Sequence, residues 1–322
     1  MTSSASRAVR VRRDIARFVE FKRTLGYKYV RAQLALESFE RFVVADARTH
    51  SPMRLDRAML AWVARAPGRK PLTVSFDICV LRQFCAYLRR ASPRGVVREP
   101  VWPQMPATSD FFPHIFSMAE VRQLLRRAAE LERPPFRGRV FRTLLLVLYC
   151  TGLRFGEALR LRLRDLDSRA CVLRVSETKG RARIVPFHRS LARELDRYLT
   201  ARRAFARAAP GDYVFVGADG IRLPTKTASD TIRRLLRDVG LKPRSGRVGP
   251  RPYDMRHTFA VHRLTRWYRA GVDLHARLPW LSAYMGHEDI LGTETYLTAT
   301  PELLALAGHR FRGRYLKAGI ST

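Results

Sequence analysis

Four short segments hold the side chains best suited to chemistry on a charged substrate. In TGLRFGEALRLRLRDLD, from Thr151 to Asp167, Arg154 and Glu157 stand three residues apart at the head of a helical pattern. An arginine offers a planar fork of donors that matches a phosphate, and a carboxylate one turn away can hold it in place. In ETKGRARIVPF, Lys179 and Gly180 fall between two β-prone runs, where a lysine can project from a turn. PYDMRHTFAVHRL, from Pro252 to Leu264, carries Tyr253, Arg256, His257, Thr258 and Phe259. LSAYMGHEDILGTETYLTATPELL carries His287 and, nine residues on, Tyr296, with Thr293 and Thr295 before it. Guanidinium, ammonium, imidazole and phenol are the groups that neutralise a phosphate and move protons around it. Each segment alone is ordinary. An R-x-x-E pair is common on helix surfaces, a turn lysine is usually solvated, and most tyrosines pack or decorate a surface.

Composition narrows the substrate. The 322 residues include 61 Lys and Arg against 28 Asp and Glu, a formal net charge of +33. So large a charge repels itself and calls for a polyanion, of which nucleic acid is the first candidate. An Arg-rich surface inherited from a GC-rich genome accounts for some of the excess, though not for the scarcity of acids. Anionic membrane fits poorly, because the basic residues are spread along the whole chain. The hydrophobic fraction of 46% allows a sizeable core, and the length suits two domains. Cys79, Cys85, Cys150 and Cys171 form no CxxC pair, and each sits in an apolar run. They read as small buried hydrophobes in a reducing cytosol. The longest apolar stretch, near Leu144–Cys150, is too short for a bilayer, and the N-terminus has no apolar signal region. A GxxxxGK[ST] loop, a dense carboxylate cluster and a paired Cys/His set are all missing, so neither metal nor cofactor is expected.

The elements that must position these residues follow from periodicity. Apolar stripes run through Val11, Ile15, Phe18 and Val19; through Leu36, Phe39 and Val43; through Leu55, Met59, Trp62 and Val63; and through Val74, Ile78, Leu81, Cys85 and Leu88. They predict a small helical domain over 8–92. Pro93, Gly95, Pro100, Pro103, Pro106 and Pro113 then mark an extended linker over 93–116. Ser117 with Glu120 predicts a capping box, and Val140–Cys150, apolar nearly all round, predicts a central core helix. Cys171–Val175 and Ala182–Phe187 predict a hairpin, Leu191–Leu199 and Ile232–Val239 predict helix, and Lys242–Pro252 is a loop. The expected fold is mainly α with a small β-hairpin or sheet, an α+β second domain over 117–310 and a tail over 311–322.

In this order the four segments resemble the tyrosine recombinase, or phage integrase, family. Arg154 and Glu157 match its first box and Lys179 its hairpin lysine. Arg256, His257, Thr258 and Phe259 match the usual His-x-x-Arg-His-Thr-Phe, and His287 with Tyr296 matches its last box. Tyr253 departs from the pattern, standing where His is commonest. A phenol with a pKa near 10 is a poor base at neutral pH, so the general base stays open and Tyr253 suits hydrogen-bond donation to the phosphate. Tyr284 and Tyr315 are the other tyrosines nearby, and neither has a Gly-His at the family's distance.

The resemblance implies a two-domain, C-shaped clamp: a core-binding, SAM-like DNA-binding domain over 8–92 and a catalytic domain over 117–310. It implies catalytic Arg154, Lys179, Tyr253, Arg256, His287 and Tyr296. Tyr296 would form a 3′-phosphotyrosyl bond, the arginines and His287 would bind the non-bridging oxygens, and Lys179 would protonate the leaving 5′-oxygen. Implied partners are double-stranded DNA at specific sites, a homotetramer exchanging strands through a Holliday junction, and accessory DNA-bending proteins. The setting is cytoplasmic and nucleoid-associated, with integration, excision or transposition of a mobile element the role it leans toward. The tail after Pro301 is expected either to fold on its own domain or to dock on a neighbouring protomer. A type IB topoisomerase-like nicking-closing enzyme and an inactive DNA-binding protein of the same fold are the rival readings. A ribosomal or chromatin protein accounts for the charge but not for the ordered boxes.

Overall fold

The computed structural model describes residues 2–49, 54–65, 68–91, 98–104, 112–133, 136–176, 182–205, 213–217, 219–246, 248–294 and 296–297. Lys179, parts of the proline-rich linker, Tyr315 and the tail after Pro301 lie outside them. The chain forms two compact units, Met1–Phe111 and Phe112–Thr322. Among the described residues no helix is long and apolar enough to cross a membrane.

The first unit is helical: α1 (Thr2–Thr24), α2 (Val30–Thr49), α3 (Leu55–Ala64) and α4 (Pro71–Ala91). The four stripes read from the sequence meet in one core containing Phe18, Leu36, Phe39, Trp62, Leu81 and Phe84. Phe39 and Trp62 pack edge to face, with centroids 5.7 Å apart. Asp77 is buried, and Arg69 donates to it at 2.6 Å, tying the approach to α4 onto that helix. Cys79 is a correction: it is exposed. An apolar run does not bury every member, because the helical period turns position 79 away from the face that Ile78, Leu81 and Cys85 bury.

The second unit begins with α5 (Met118–Ala129). Its expected capping box is present, with Glu120 N donating to Ser117 Oγ at 3.2 Å and Ser117 N to Glu120 Oε2 at 2.6 Å. Next come α6 (Arg137–Thr151) and α7 (Phe155–Arg160), then a sheet of β1 (Leu166–Asp167), β2 (Val172–Val175) and β3 (Arg183–Pro186). The sheet is antiparallel in the order β1-β2-β3, with Leu166 opposite Leu173 and Val175 opposite Arg183. The expected hairpin therefore gains a third, two-residue strand, and Cys171 sits in a positive-φ turn (55°) rather than in β2. After the sheet come α8 (Arg189–Phe205), α9 (Thr225–Asp238), α10 (Asp254–Arg269), α11 (Leu274–Met285) and α12 (Leu291–Glu294).

Helix α6 is the axis of this unit. Leu144, Leu145, Val147 and Leu148 are all at most 1% exposed, and full burial stabilises each by about 1.5–3 kcal/mol. It packs against α5, α8 and α10, so a displacement of α6 moves the elements on either side of the site together.

Candidate active site

Helix α6 ends at Gly152, which takes a left-handed conformation (φ 62°). A Cβ there would meet Phe259 Cδ1 at 2.3 Å, so only glycine lets the chain reverse against α10. The reversal delivers Arg154 to the start of α7. Its backbone N donates to Glu157 Oε2 at 3.0 Å, its Nη1 to Glu157 Oε1 at 2.9 Å, and its Nη2 to the Gly286 carbonyl at 2.7 Å. Glu157 is only 2% exposed, and so buried a carboxylate requires positive partners.

The second partner is Arg183, to which sequence reasoning assigned nothing. Its Nη2 and Nη1 donate to Glu157 at 2.9 and 3.3 Å, and its Nε donates to the Tyr284 carbonyl at 2.8 Å. The signal was period-two alternation: Arg183 shares the inner face of β3 with Val185, which is fully buried. One guanidinium thus ties β3 to α7 and to the end of α11.

Arg256 enters from the first turn of α10. That turn is fixed by Asp254, which accepts from Arg251 N at 2.9 Å and from Arg251 Nη2 at 3.0 Å. Arg256 is 1% exposed and donates from Nη1 to the Gly152 carbonyl at 2.7 Å and from Nη2 to the Met285 carbonyl at 2.8 Å. Its Nε is buried with no hydrogen-bond partner among the described residues. Arg154 and Arg256 are thereby held on the adjacent carbonyls of residues 286 and 285. Those carbonyls close α11, and Gly152 closes α6, so both cations meet the negative ends of helices.

Helix α11 ends at Gly286, again left-handed (φ 69°), and a Cβ there would lie 2.7 Å from Arg183 Nη1. His287 follows, with Nδ1 2.7 Å from Thr293 Oγ1. Thr293 is fully buried. Burial, reinforced by the cations Arg256, Arg154 and Arg183, pulls His287 down to about 4.

Tyr296 is 3% exposed and packs with Phe259, Leu264 and Met285. Its ring lies between two imidazoles, 6.1 Å from His287 in a stacked arrangement and 5.4 Å from His257 edge to face. Burial raises its pKa above the ordinary tyrosine value, and the positive field of Arg256 opposes that rise. Tyr253 is 40% exposed, one helical turn before His257, with ring centroids 5.2 Å apart. Tyr284 is engaged elsewhere: its hydroxyl donates to the Pro186 carbonyl at 2.9 Å, its ring stacks on Phe259, and burial raises it to about 12.

Five of the six candidates are thus gathered around one cluster: Arg154, Arg256, His287 and Tyr296 packed closely, with Tyr253 at the rim. The sixth, Lys179, lies outside the described residues, in the segment joining β2 to β3. A buried and a partly exposed guanidinium beside a buried phenol can bind a phosphate's non-bridging oxygens and present a hydroxyl to phosphorus.

Comparison with known proteins agrees with that chemistry. The sequence profile of the phage integrase family matches residues 116–302. The chain is 34% identical over 311 residues to y4rB of Sinorhizobium fredii, named as an integrase/recombinase, covering 94% of this chain and 98% of that one. It is 31% identical over 252 residues to the tyrosine recombinase XerC of Rhodospirillum centenum, covering 77% of this chain and 68% of that one. In fold it is similar to the Tn1549 transposon integrase solved with circular intermediate DNA, with a TM-score of 0.65 at 19% identity, covering 92% of this chain and 99% of that one.

Proposed function

This chain belongs to the phage integrase family, and on that premise we propose that it is a site-specific DNA recombinase that uses Tyr296 as its nucleophile. The observation that carries the assignment is the convergence of Arg154 and Arg256 on the carbonyls of Gly286 and Met285, beside the buried Tyr296. The scissile phosphate binds at these two forks, which neutralise the charge that grows in the transition state. Tyr296 Oη attacks phosphorus in line, forms a 3′-phosphotyrosyl bond and releases the 5′-oxygen, which Lys179 protonates. When Thr293 Oγ1 donates to His287 Nδ1, Nε2 carries the hydrogen and donates to a non-bridging oxygen. Tyr253, at the rim, donates a hydrogen bond to the same phosphate.

The phosphotyrosyl bond keeps the energy of the cleaved diester, so a 5′-hydroxyl from a partner strand reverses the step and joins new ends. Two such rounds on paired duplexes pass through a Holliday junction and require four protomers. Residues 8–92 supply a second DNA-binding domain, 93–116 the linker and 117–310 the catalytic domain, in a cytoplasmic enzyme of a mobile element. The net charge of +33 supports the DNA partner, as does the Tn1549 integrase, whose structure contains DNA.

The test is a nicked suicide duplex carrying the chain's own site, mapped first from the flanks of its gene. A covalent protein–DNA adduct on a denaturing gel, lost in Tyr296→Phe and kept in Tyr284→Phe and Tyr315→Phe, is the expected result. No adduct on a duplex that the protein binds specifically refutes the assignment and leaves a DNA-binding protein of the same fold.

A further inference from the structure

A phenol that attacks phosphorus must lose its proton, and the position where the resemblance supplies an imidazole for proton transfer holds Tyr253 instead. We propose that His257, one helical turn further along α10, accepts the proton of Tyr296. The inference rests on the assignment of Tyr296 as nucleophile.

Three observations carry it. First, His257 is in ring contact with both tyrosines, 5.2 Å from Tyr253 and 5.4 Å from Tyr296 between centroids, each edge to face. Ring centroids 5.4 Å apart put the imidazole and the phenol within the span that a direct hydrogen bond or one bridging water can cover. Second, its Nδ1 is buried and has no hydrogen-bond partner among the described residues. A buried polar atom left unsatisfied is rare, and its recurrence at reaction centres gives it a reading as a group awaiting a partner. Third, the other imidazole beside Tyr296 is already committed, since His287 Nδ1 lies 2.7 Å from Thr293 Oγ1.

The electrostatics fit an acceptor. On its own segment His257 faces Asp254, Arg251, Arg256 and Tyr253, and across the site it faces Tyr296. Burial lowers its pKa below the ordinary histidine value, partly offset by Asp254, so the ring is neutral near pH 7 and its lone pair is free. His287, ringed by Arg256, Arg154 and Arg183 and held near 4, is the weaker proton acceptor. Tyr253, a phenol, is a poor one at neutral pH.

The step balances. The Oη–H bond of Tyr296 breaks and its proton passes to the neutral His257, while the Oη–P bond forms and the P–O5′ bond breaks, with Lys179 protonating the released oxygen. In rejoining, the His257 imidazolium returns its proton to the departing phenolate.

The experiment is single-turnover adduct formation by the full chain on the nicked duplex, from pH 6 to 9.5, for wild type, His257→Gln, His257→Ala and Tyr253→Phe. General-base assistance contributes about 10²–10⁴-fold, so His257→Gln should form the adduct about 100-fold more slowly at pH 7. The deficit should shrink as rising pH ionises the phenol directly, and added imidazole should partly restore His257→Ala. Tyr253→Phe should lower the rate by one factor at every pH. DNA binding by gel shift certifies that each variant is folded, with His257→Asn replacing Gln if binding is lost. A wild-type rate in His257→Gln overturns the proposal. So does a defect that is the same at every pH and indifferent to imidazole, which marks packing alone. An adduct absent even from wild type overturns the nucleophile assignment itself, which keeps the two failures apart.

Discussion

Replacing Arg183 with glutamine tests whether the site is held from the strand side. The substitution removes the bond from Nε to the Tyr284 carbonyl at 2.8 Å and the two to Glu157 at 2.9 and 3.3 Å. Removing one partner of a buried pair costs about 3–5 kcal/mol, because the other charge is stranded. Glu157 retains Arg154 at 2.9 Å, which sets the loss at the lower end, about 3 kcal/mol. For a unit of this size about 2–4 °C is lost per kcal/mol, so the melting temperature of the second unit should fall by about 6–12 °C. Differential scanning calorimetry without DNA measures it. Adduct formation at a temperature where the variant is fully folded should fall as well, since Arg154 and the strand after Lys179 lose a shared anchor. A double-mutant cycle supplies the sharper arm. If Arg183 acts through Glu157, Arg183→Gln with Glu157→Gln should cost less than the sum of the single losses, by about 0.5–3 kcal/mol. A melting temperature within about 2 °C of wild type, or strict additivity, refutes the reasoning.

Gly152→Ala should destabilise by about 2–5 kcal/mol, combining left-handed strain with the 2.3 Å approach to Phe259, read from the same calorimetry. Tyr284→Phe should keep the adduct and lose about 1 kcal/mol of stability with its bond to the Pro186 carbonyl, measured by urea unfolding. Thr293→Val leaves His287 Nδ1 without its partner and should slow adduct formation about tenfold with DNA affinity unchanged, a factor equal to about 1.4 kcal/mol. Stability without DNA should depend on pH through His287, whose folded pKa of about 4 lies below the unfolded value of about 6.5. Above pH 6.5 both states are neutral and the contribution is complete. As pH falls from about 6.5 to 4 the unfolded chain takes up a proton that the folded one refuses, so stability declines, by at most about 3 kcal/mol for a half-buried ring. Urea midpoints across pH 4–7.5 should show that slope, and His287→Gln should flatten it.

What the sequence made legible was local. The stripes of α1 to α4 follow the helical period, and Ser117 with Glu120 announces a helix start within four residues. Arg154, Arg256, His287 and Tyr296 could be named because each sits in a short segment with its own pattern. Arg183 escaped because a cation in a four-residue strand reads as the solvated face, although alternation with Val185 puts it on the inner one, where it meets Glu157. Strand β1, two residues long, is too brief for any alternation to register. Cys79 misled for the opposite reason, since hydrophobic neighbours in sequence are not neighbours on a helix face.

The deeper illegibility lies in how the arginines are held. Every α-helix ends with carbonyls that have no partner within the helix, and at α6 and α11 a left-handed glycine turns the chain away and leaves those carbonyls open. Arg256 bridges the two ends, donating to Gly152 and Met285, and Arg154 takes the next carbonyl, Gly286. The groups that a helix must leave unsatisfied thus become the seat of the cations, and the helix dipoles favour them there. A glycine after a helix is visible in any sequence, and so is an arginine. That one serves the other across 104 residues, from Arg256 to Gly152, follows only from the packing of α6 against α10. This also explains why each guanidinium is preorganised before DNA arrives. Arg256 already has two donors on backbone carbonyls, and Arg154 has one on backbone and one on Glu157, so both planes are set before a phosphate binds.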